Sequence, residues 1–436
     1  MLRKIAGTIS TRIIIALVTL ATILINGWYL GADKVGTISL IILAITLIQM
    51  LNNFVGGGAL VYLLPRTHLV TLFIPAYLWS FITSIAGAFI IGLFNLIPVG
   101  FFWHVVILSL ALSLASVNFM ILMGQERIKI YNIISLLQGI SFFMVLLFWL
   151  FVLGKREVLS YLIGLYASYL FAFIISLIMI LPHAKWGRFQ GMAGTLKEIF
   201  RYGSLMQTGN ILQFFNYRLS YYFMEIFIGR AALGVYSVGV QLSESVWLIS
   251  RSIAMVQYTR ISNEKDLNYA ARITLSLAKV AFFITIICLV LLYILLLLFF
   301  PLIFTPEFVS VKLIMASLAI GIVTFSVSII LSPYFSGIGK PGQNTVSAAI
   351  GLLLTLISGW ILIPRFGFIG AGFSATISYT VATLYQFIVF CKHSGIKPKD
   401  FLMTRSDIDR FISELKIFIK GNKVTEQQGG IVRGPM

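Results

Sequence analysis

Twelve windows of at least ~18 predominantly apolar residues follow one another along the chain, separated mostly by short polar interruptions. They fall near 8–30, 37–62, 69–94, 101–123, 131–153, 158–182, 203–228, 231–260, 273–300, 310–336, 343–364 and 367–391. A helix of such length crosses the ~30 Å hydrocarbon core of a bilayer, and lipid requires each backbone polar group to be satisfied within the helix. The chain is therefore expected to be an all-α integral membrane protein of about twelve transmembrane helices. Its length of 436 residues would otherwise suggest several soluble domains, but 59% of the residues are hydrophobic and only 11% charged. Soluble domains carry about a quarter charged residues.

A formal net charge of +18 raises the possibility of nucleic acid as a partner, yet the basic residues sit in short clusters between apolar runs rather than on one face. Orientation by the positive-inside rule accounts for them. With the N-terminus inside, fourteen Lys and Arg residues fall on the inner side and six on the outer side before the tail is counted, so both termini are expected in the cytoplasm. No small-residue cleavage site follows the first apolar stretch, which runs through Asn26, Gly27, Trp28 and Tyr29 and is expected to stay as a helix. Cys288 and Cys391 are far apart and imply neither a disulfide frame nor a metal pair.

Catalytic chemistry is not visible. Gly337-Ile-Gly-Lys340 lacks the spacing of a phosphate-cradling loop, and His68, His104, His183 and His393 are scattered without a second ligand at metal spacing. No cofactor is expected, and the loops leave no room for a folded catalytic domain outside the membrane. The exceptions are a basic segment, 183–202, and the tail 393–436. In the tail, Phe411, Leu415 and Phe418 lie at helical spacing within a mixed-charge stretch, Phe401 to Lys420, which suggests an amphipathic helix on the membrane surface; residues 421–436 read as disordered.

At an offset of 198 residues the chain resembles itself. Gly31-Ala-Asp-Lys-Val-Gly36-Thr-Ile-Ser39 aligns with Gly229-Arg-Ala-Ala-Leu-Gly234-Val-Tyr-Ser237, each opening an apolar helix preceded by one other. Two six-helix lobes, 1–182 and 203–392, joined by the linker 183–202, are the expected organisation, with a substrate site in the cleft between them. The glycines of these motifs suit tight turns and close helix approach.

Four stretches carry a family resemblance: Gly31 to Arg66, with Gly56-Gly57-Gly58 and Pro65-Arg66; Asn216-Tyr-Arg218-Leu-Ser220; Leu233-Gly-Val-Tyr-Ser237; and Ile361-Leu-Ile-Pro-Arg-Phe-Gly367-Phe-Ile-Gly370-Ala-Gly-Phe-Ser374-Ala-Thr-Ile-Ser378-Tyr379. Over nearly the whole chain to about residue 392 it resembles the Wzx-type O-antigen and exopolysaccharide flippases of the multidrug/oligosaccharidyl-lipid/polysaccharide (MOP) superfamily. Two departures stand out, Ser220 where the family often has an acid and Thr259 where it often has Pro. The first argues against acid-dependent coupling at that position.

The resemblance implies a flippase, not an enzyme, in the bacterial cytoplasmic (inner) membrane. It would move an undecaprenyl-diphosphate-linked oligosaccharide from inner to outer leaflet by alternating access, for lipopolysaccharide or other surface polysaccharide. Membrane lipids, and a polysaccharide polymerase and glycosyltransferases, would be its partners. The alternatives are a multidrug/cation antiporter of the same superfamily, which would favour an acidic cavity, and a membrane glycosyltransferase or polymerase, which would need a long outer loop that this chain lacks.

Charges within the apolar windows narrow the site. An Arg or carboxylate at mid-membrane is unfavourable by roughly 2.5–3.5 kcal/mol on insertion scales, so it must face protein or water. In the seventh window Asn210, Gln213, Tyr217 and Tyr221 recur at three- and four-residue spacing, beside Asn216 and Arg218. In the eighth, Gln241, Glu244, Trp247 and Arg251 share a face. Arg218 and Glu244 lie about fifteen and sixteen residues from the inner ends of their helices, which matches their depths at ~1.5 Å rise per residue. They are placed to pair, which leaves two readings of Arg218: a packing ion pair, or a substrate-binding cation. The substrate-binding expectation gathers Arg218, Arg251 and Arg12 as the cationic part of a water-filled cavity, since guanidinium grips phosphate oxygens in bidentate fashion. Asn53 occupies the repeat position of Arg251 and contributes a neutral polar face with Gln49 and Asn52.

Overall fold

The computed structural model describes residues 2–64, 68–183, 192–262 and 266–401. Their regular elements are helical. In chain order these are α1 (Leu2–Tyr29), α2 (Ala32–Gly56), α3 (Gly58–Leu63), α4 (Leu69–Leu93), α5 (Phe102–Gly124), α6 (Ile128–Leu147), α7 (Val158–Ile180), α8 (Met192–Phe227), α9 (Arg230–Ser245), α10 (Trp247–Ser262), α11 (Leu267–Ile303), α12 (Val311–Gly337) and α13 (Gly342–Ser394). Among the described residues eight helices are long and apolar enough to span a membrane, or nine when the bent pair α9 and α10 is taken as one span. The protein is a multi-span helical membrane protein.

The helices depart from the apolar windows where polarity and backbone chemistry intervene. The second window is broken at Gly57, with α3 continuing beyond it. Helix α8 begins at Met192, inside the segment expected as a linker, because its first turns are polar and basic (Lys197, Arg201) and can remain helical outside hydrocarbon. Residues 184–191 and the tail beyond Phe401, including the amphipathic stretch expected there, lie outside the described residues. The eighth window bends by 45° between α9 and α10. Ser243 and Ser245 return their hydroxyl protons to the carbonyls of Gly239 and Leu242 just before the bend, a pattern that loosens the helical ladder.

Two windows merge in α13, which is interrupted only at Gly367 (φ 54°, ψ −124°), a backbone region essentially confined to glycine. A Cβ built there meets nothing within 4 Å. The requirement is therefore conformational rather than steric. Gly367→Ala should lower stability by about 1–3 kcal/mol. Thermal unfolding of the purified protein checks this, and an Ala variant as stable as the parent would show that the turn can relax.

Apolar side chains face outward as well as inward, as lipid allows. Ile82, Phe89, Leu298 and Trp360 are exposed, while buried clusters hold the helices together. One cluster draws on residues from Val55 to Ile199, another on residues from Ala254 to Phe390, and the largest runs across both halves through α2 and α9. At that junction the repeat partners meet each other. A Cβ on Gly36 would run into the carbonyl oxygen of Arg230, and one on Gly234 into that of Ala32. Ser39 Oγ donates to Ser237 Oγ at 2.8 Å, so two residues related by the 198-residue offset form one hydrogen bond. Nearby, the Ala32 N–H donates to Glu307 Oε2 at 2.9 Å, which ties the start of α2 to the turn before α12. This end of the bundle, where α1 ends and α2 and α9 begin, is sealed.

Candidate functional site

The antiparallel run of α8 against α9 brings Arg218 and Glu244 together. The guanidinium donates through Nη1 to Glu244 Oε1 at 2.8 Å and through Nη2 to Oε2 at 2.7 Å. Their side chains are 23% and 11% exposed, so little water screens the pair. The Tyr221 ring lies 5.2 Å from the guanidinium carbon. Both terminal nitrogens of the fork are thus engaged by the carboxylate. Of the two readings of Arg218, the geometry corresponds to the ion pair.

Arg251 is placed differently. It is exposed, stacks over Trp247 at 5.7 Å, and among the described residues has no ion pair with a carboxylate. It lines a cavity of about 440 Å³ walled by α8 (Gln213, Tyr217), α10 (Arg251, Tyr258) and α12 (Phe325, Ser328, Ile329, Ser332, Pro333, Ser336). The cavity extends from Tyr217 and Phe325 to Tyr258 and Ser336 near the ends of α10 and α12, the end opposite the sealed one. Tyr217, Trp247, Phe325 and Tyr379 close its inner end as a box of rings, with centroids 5.0 Å apart for Trp247 and Phe325 and 5.8 Å for Tyr217 and Tyr379. Trp247 is fully buried and fixed by its Nε1 donating to the Ile322 carbonyl at 2.9 Å. Pro333 has no N–H, so the Ile329 carbonyl loses its usual i+4 donor.

Among the described residues no acidic side chain lines this cavity. Its lining combines a guanidinium, hydroxyls, one amide and aromatic faces, a set suited to oxyanions and hydroxylated groups rather than cations. Among the described residues no group of three His, Cys, Asp or Glu comes together to hold a metal ion.

Only Gln213, Tyr217 and Arg251 of the expected set line the cavity. Asn216 is turned away: it is 1% exposed, and its Oδ1 accepts from Thr355 at 2.9 Å and from Ser378, so it fastens α8 to both arms of α13. Tyr221 is buried edge-on against Tyr236. Asn210 is exposed and donates to Gln207 at 3.3 Å. Asn53 accepts from Gln49 at 3.1 Å within α2. Helical spacing gave the stripe of Asn210, Gln213, Tyr217 and Tyr221, but a stripe wider than one neighbour is divided among several neighbours. The side chain of Arg12, in α1, lies outside the described residues. The serines of α12 were not anticipated, although Ser328, Ser332 and Ser336 at every fourth position are visible in the tenth window.

No protein-family model matches the sequence, and no curated protein matches it significantly. Solved structures do. The chain is similar to the lipid II flippase MurJ in an inward closed conformation, with TM-score 0.72 and 17% identity over 96% of this chain and 93% of that one. It is also similar to an inward-facing multidrug resistance MATE family transporter of the MOP superfamily, with TM-score 0.69 and 14% identity over 87% of this chain and 94% of that one. For an outward-facing MATE family transporter of the same superfamily the TM-score is 0.59, at 15% identity over 92% and 96% of the two chains. The chain therefore shares its fold with these transporters and with that flippase.

Proposed function

We propose that this protein is a flippase for a lipid-linked, sugar-bearing anion, working by alternating access between two lobes, 1–182 and 203–392. The observation that carries this reading is Arg251: among the described residues it is a cation without a carboxylate partner, in a cavity with no acid on its walls. A polar headgroup cannot cross hydrocarbon unaided, since each unsatisfied polar group is disfavoured by several kcal/mol. The cavity offers it hydrogen bonds, aromatic faces and one positive charge. The same lining speaks against a cation antiporter, which needs negative charge where this cavity has Arg251.

The substrate we assign is a polyprenyl-diphosphate-linked oligosaccharide destined for surface polysaccharide, including O-antigen, made by glycosyltransferases and consumed by a polymerase. In this reading both termini lie in the cytoplasm of a bacterial inner membrane, which the Lys and Arg bias of the loops supports, with the cavity open on that side and the Gly36–Gly234 seam closed on the other.

The test is Arg251→Gln, which keeps the volume of the side chain and removes the charge. Hydrogen bonds to charged groups are worth about 1.5–3 kcal/mol, so export of surface polysaccharide should fall roughly ten- to hundredfold at unchanged membrane abundance. Arg251→Lys should retain an intermediate rate, having charge without the bidentate fork. Undiminished export by the Gln variant would remove the basis of the proposal.

A further inference from the structure

One wall of the cavity, on α12, is wired to α13 by a hydrogen-bond relay whose direction can be deduced. Asn344 donates to the backbone carbonyl of Ser332 at 3.0 Å, and a carbonyl can only accept, so the Asn344 amide nitrogen must face α12. The same nitrogen donates to Ser336 Oγ at 3.1 Å. Asn344 Oδ1 then faces Gln386 and must receive from its Nε2, at 3.1 Å. That Nε2 also donates to Ser332 Oγ at 3.2 Å, while Gln386 Oε1 accepts from Ser328 at 2.6 Å. Gln386 is 2% exposed, so no water replaces these partners.

Ser332 and Ser336 are consequently held as acceptors from α13, and their own protons remain to be given. Ser317 and Ser326 on the same helix return theirs to carbonyls three residues back, at 2.9 and 2.6 Å. Ser332 and Ser336 make no such bond. A hydroxyl whose oxygen already accepts is polarised toward donation. Both line the cavity that contains Arg251, and so does Gln213, whose Nε2 is buried with no partner. Ser332 and Ser336 on α12 and Arg251 on α10 therefore present donors to one space, which Gln213 on α8 also lines. A network serving only to join α12 to α13 would not need the two hydroxyl protons left over.

We propose that Gln386 and Asn344 are positioning residues that hold Ser332 and Ser336 as donors, making the α12 wall, with Gln213, a second oxyanion-binding surface in the cavity of Arg251. This rests on the flippase reading and adds the residues that select the headgroup. The guanidinium fork accounts for two oxygens of one phosphoryl group. The serine hydroxyls and Gln213 meet the oxygens of the next. A phosphoryl ligand could be free or lipid-borne, and both sources share this chemistry.

The experiment measures equilibrium binding of farnesyl diphosphate and of inorganic pyrophosphate to the purified full chain in detergent. Ser332→Ala combined with Ser336→Ala should weaken farnesyl diphosphate binding about tenfold or more, as expected for the loss of two donors to a charged group. Ser332→Thr with Ser336→Thr keeps both hydroxyls and should bind within about threefold of the parent, which a merely structural role for the hydroxyls would not require. Gln386→Met, which frees the serines to turn back on their helix, should weaken binding in the same direction. Loss in the Ala pair for both probes supports recognition of the diphosphate itself, and loss for farnesyl diphosphate alone supports recognition of the lipid-borne form. Loss for pyrophosphate alone, or an Ala pair that binds farnesyl diphosphate as the parent does, overturns the serine assignment. In that event Arg251→Gln separates the two readings: if it still abolishes binding, the flippase reading stands without the serines, and if it does not, both fail.

Discussion

Arg218→Ala should lower the stability of the folded protein by about 3–5 kcal/mol, the usual consequence of removing one member of a buried ion pair. The reason lies with Glu244 rather than Arg218. Its carboxylate is 11% exposed and receives both guanidinium nitrogens at 2.8 and 2.7 Å, so truncating the arginine leaves a charge in a low-dielectric interior with no counter-ion. Glu244→Gln alone should be harmful by the same logic in reverse, with Arg218 stranded. Combining Arg218→Ala with Glu244→Gln removes both charges, and the double variant should recover most of the lost stability and membrane abundance.

Transport in that double variant decides what Arg218 does. The two terminal nitrogens of the fork are committed to Glu244, so export should recover together with abundance. Export that stays absent while abundance returns would mean that Arg218 leaves Glu244 during the cycle and handles substrate. Membrane abundance, thermal unfolding and polysaccharide export in the parent, the two single variants and the double variant give the complete cycle.

The second large effect concerns the sealed end. Ser39→Cys with Ser237→Cys places two thiols where two hydroxyls now lie 2.8 Å apart. Oxidation should join α2 to α9 and stop export almost completely, with recovery on reduction. Gly234→Val should stop export by the opposite route, because a side chain there collides with the Ala32 carbonyl and the seam cannot close. Alternating access requires the seam to open and close in each cycle. Continued export by a fully cross-linked protein would exclude opening at this seam. Glu307, which accepts from the first N–H of α2 at 2.9 Å, lies on the same side of the molecule and should part from it whenever the seam opens.

Much of the fold was legible because membrane insertion is governed by local quantities. Hydrophobic length identifies a multi-span helical protein whatever the neighbours of each span, and the anomalous polarity of the seventh and eighth windows marked α8, α9 and α10 as the helices that line an interior. Depth is also local. A fixed rise per residue placed Arg218 and Glu244 at one level, and they are joined. The 198-residue offset identified Gly36 with Gly234 and Ser39 with Ser237 as equivalent. Their direct contact across the two halves is a further fact, decided by packing.

Direction around a helix is where sequence reasoning failed, since periodicity defines a face but not the neighbour it meets. Asn216 belongs to a polar stretch with Gln213 and Tyr217, yet it points at Thr355 and Ser378, more than a hundred residues away in the chain. The donor set of the cavity combines Arg251, Gln213, Ser332 and Ser336 from three helices, held by Gln386 and Asn344 from a fourth. The sequence by itself determined that the chain is all-helical and spans a membrane several times, and which of its helices carry interior polarity, because these follow from transfer free energies and the rise of a single helix. The tertiary structure alone decided which charge is neutralised, Arg218, and which has no carboxylate partner among the described residues, Arg251, because pairing depends on the azimuth of one helix against another, and that is set by close packing between residues distant in the chain.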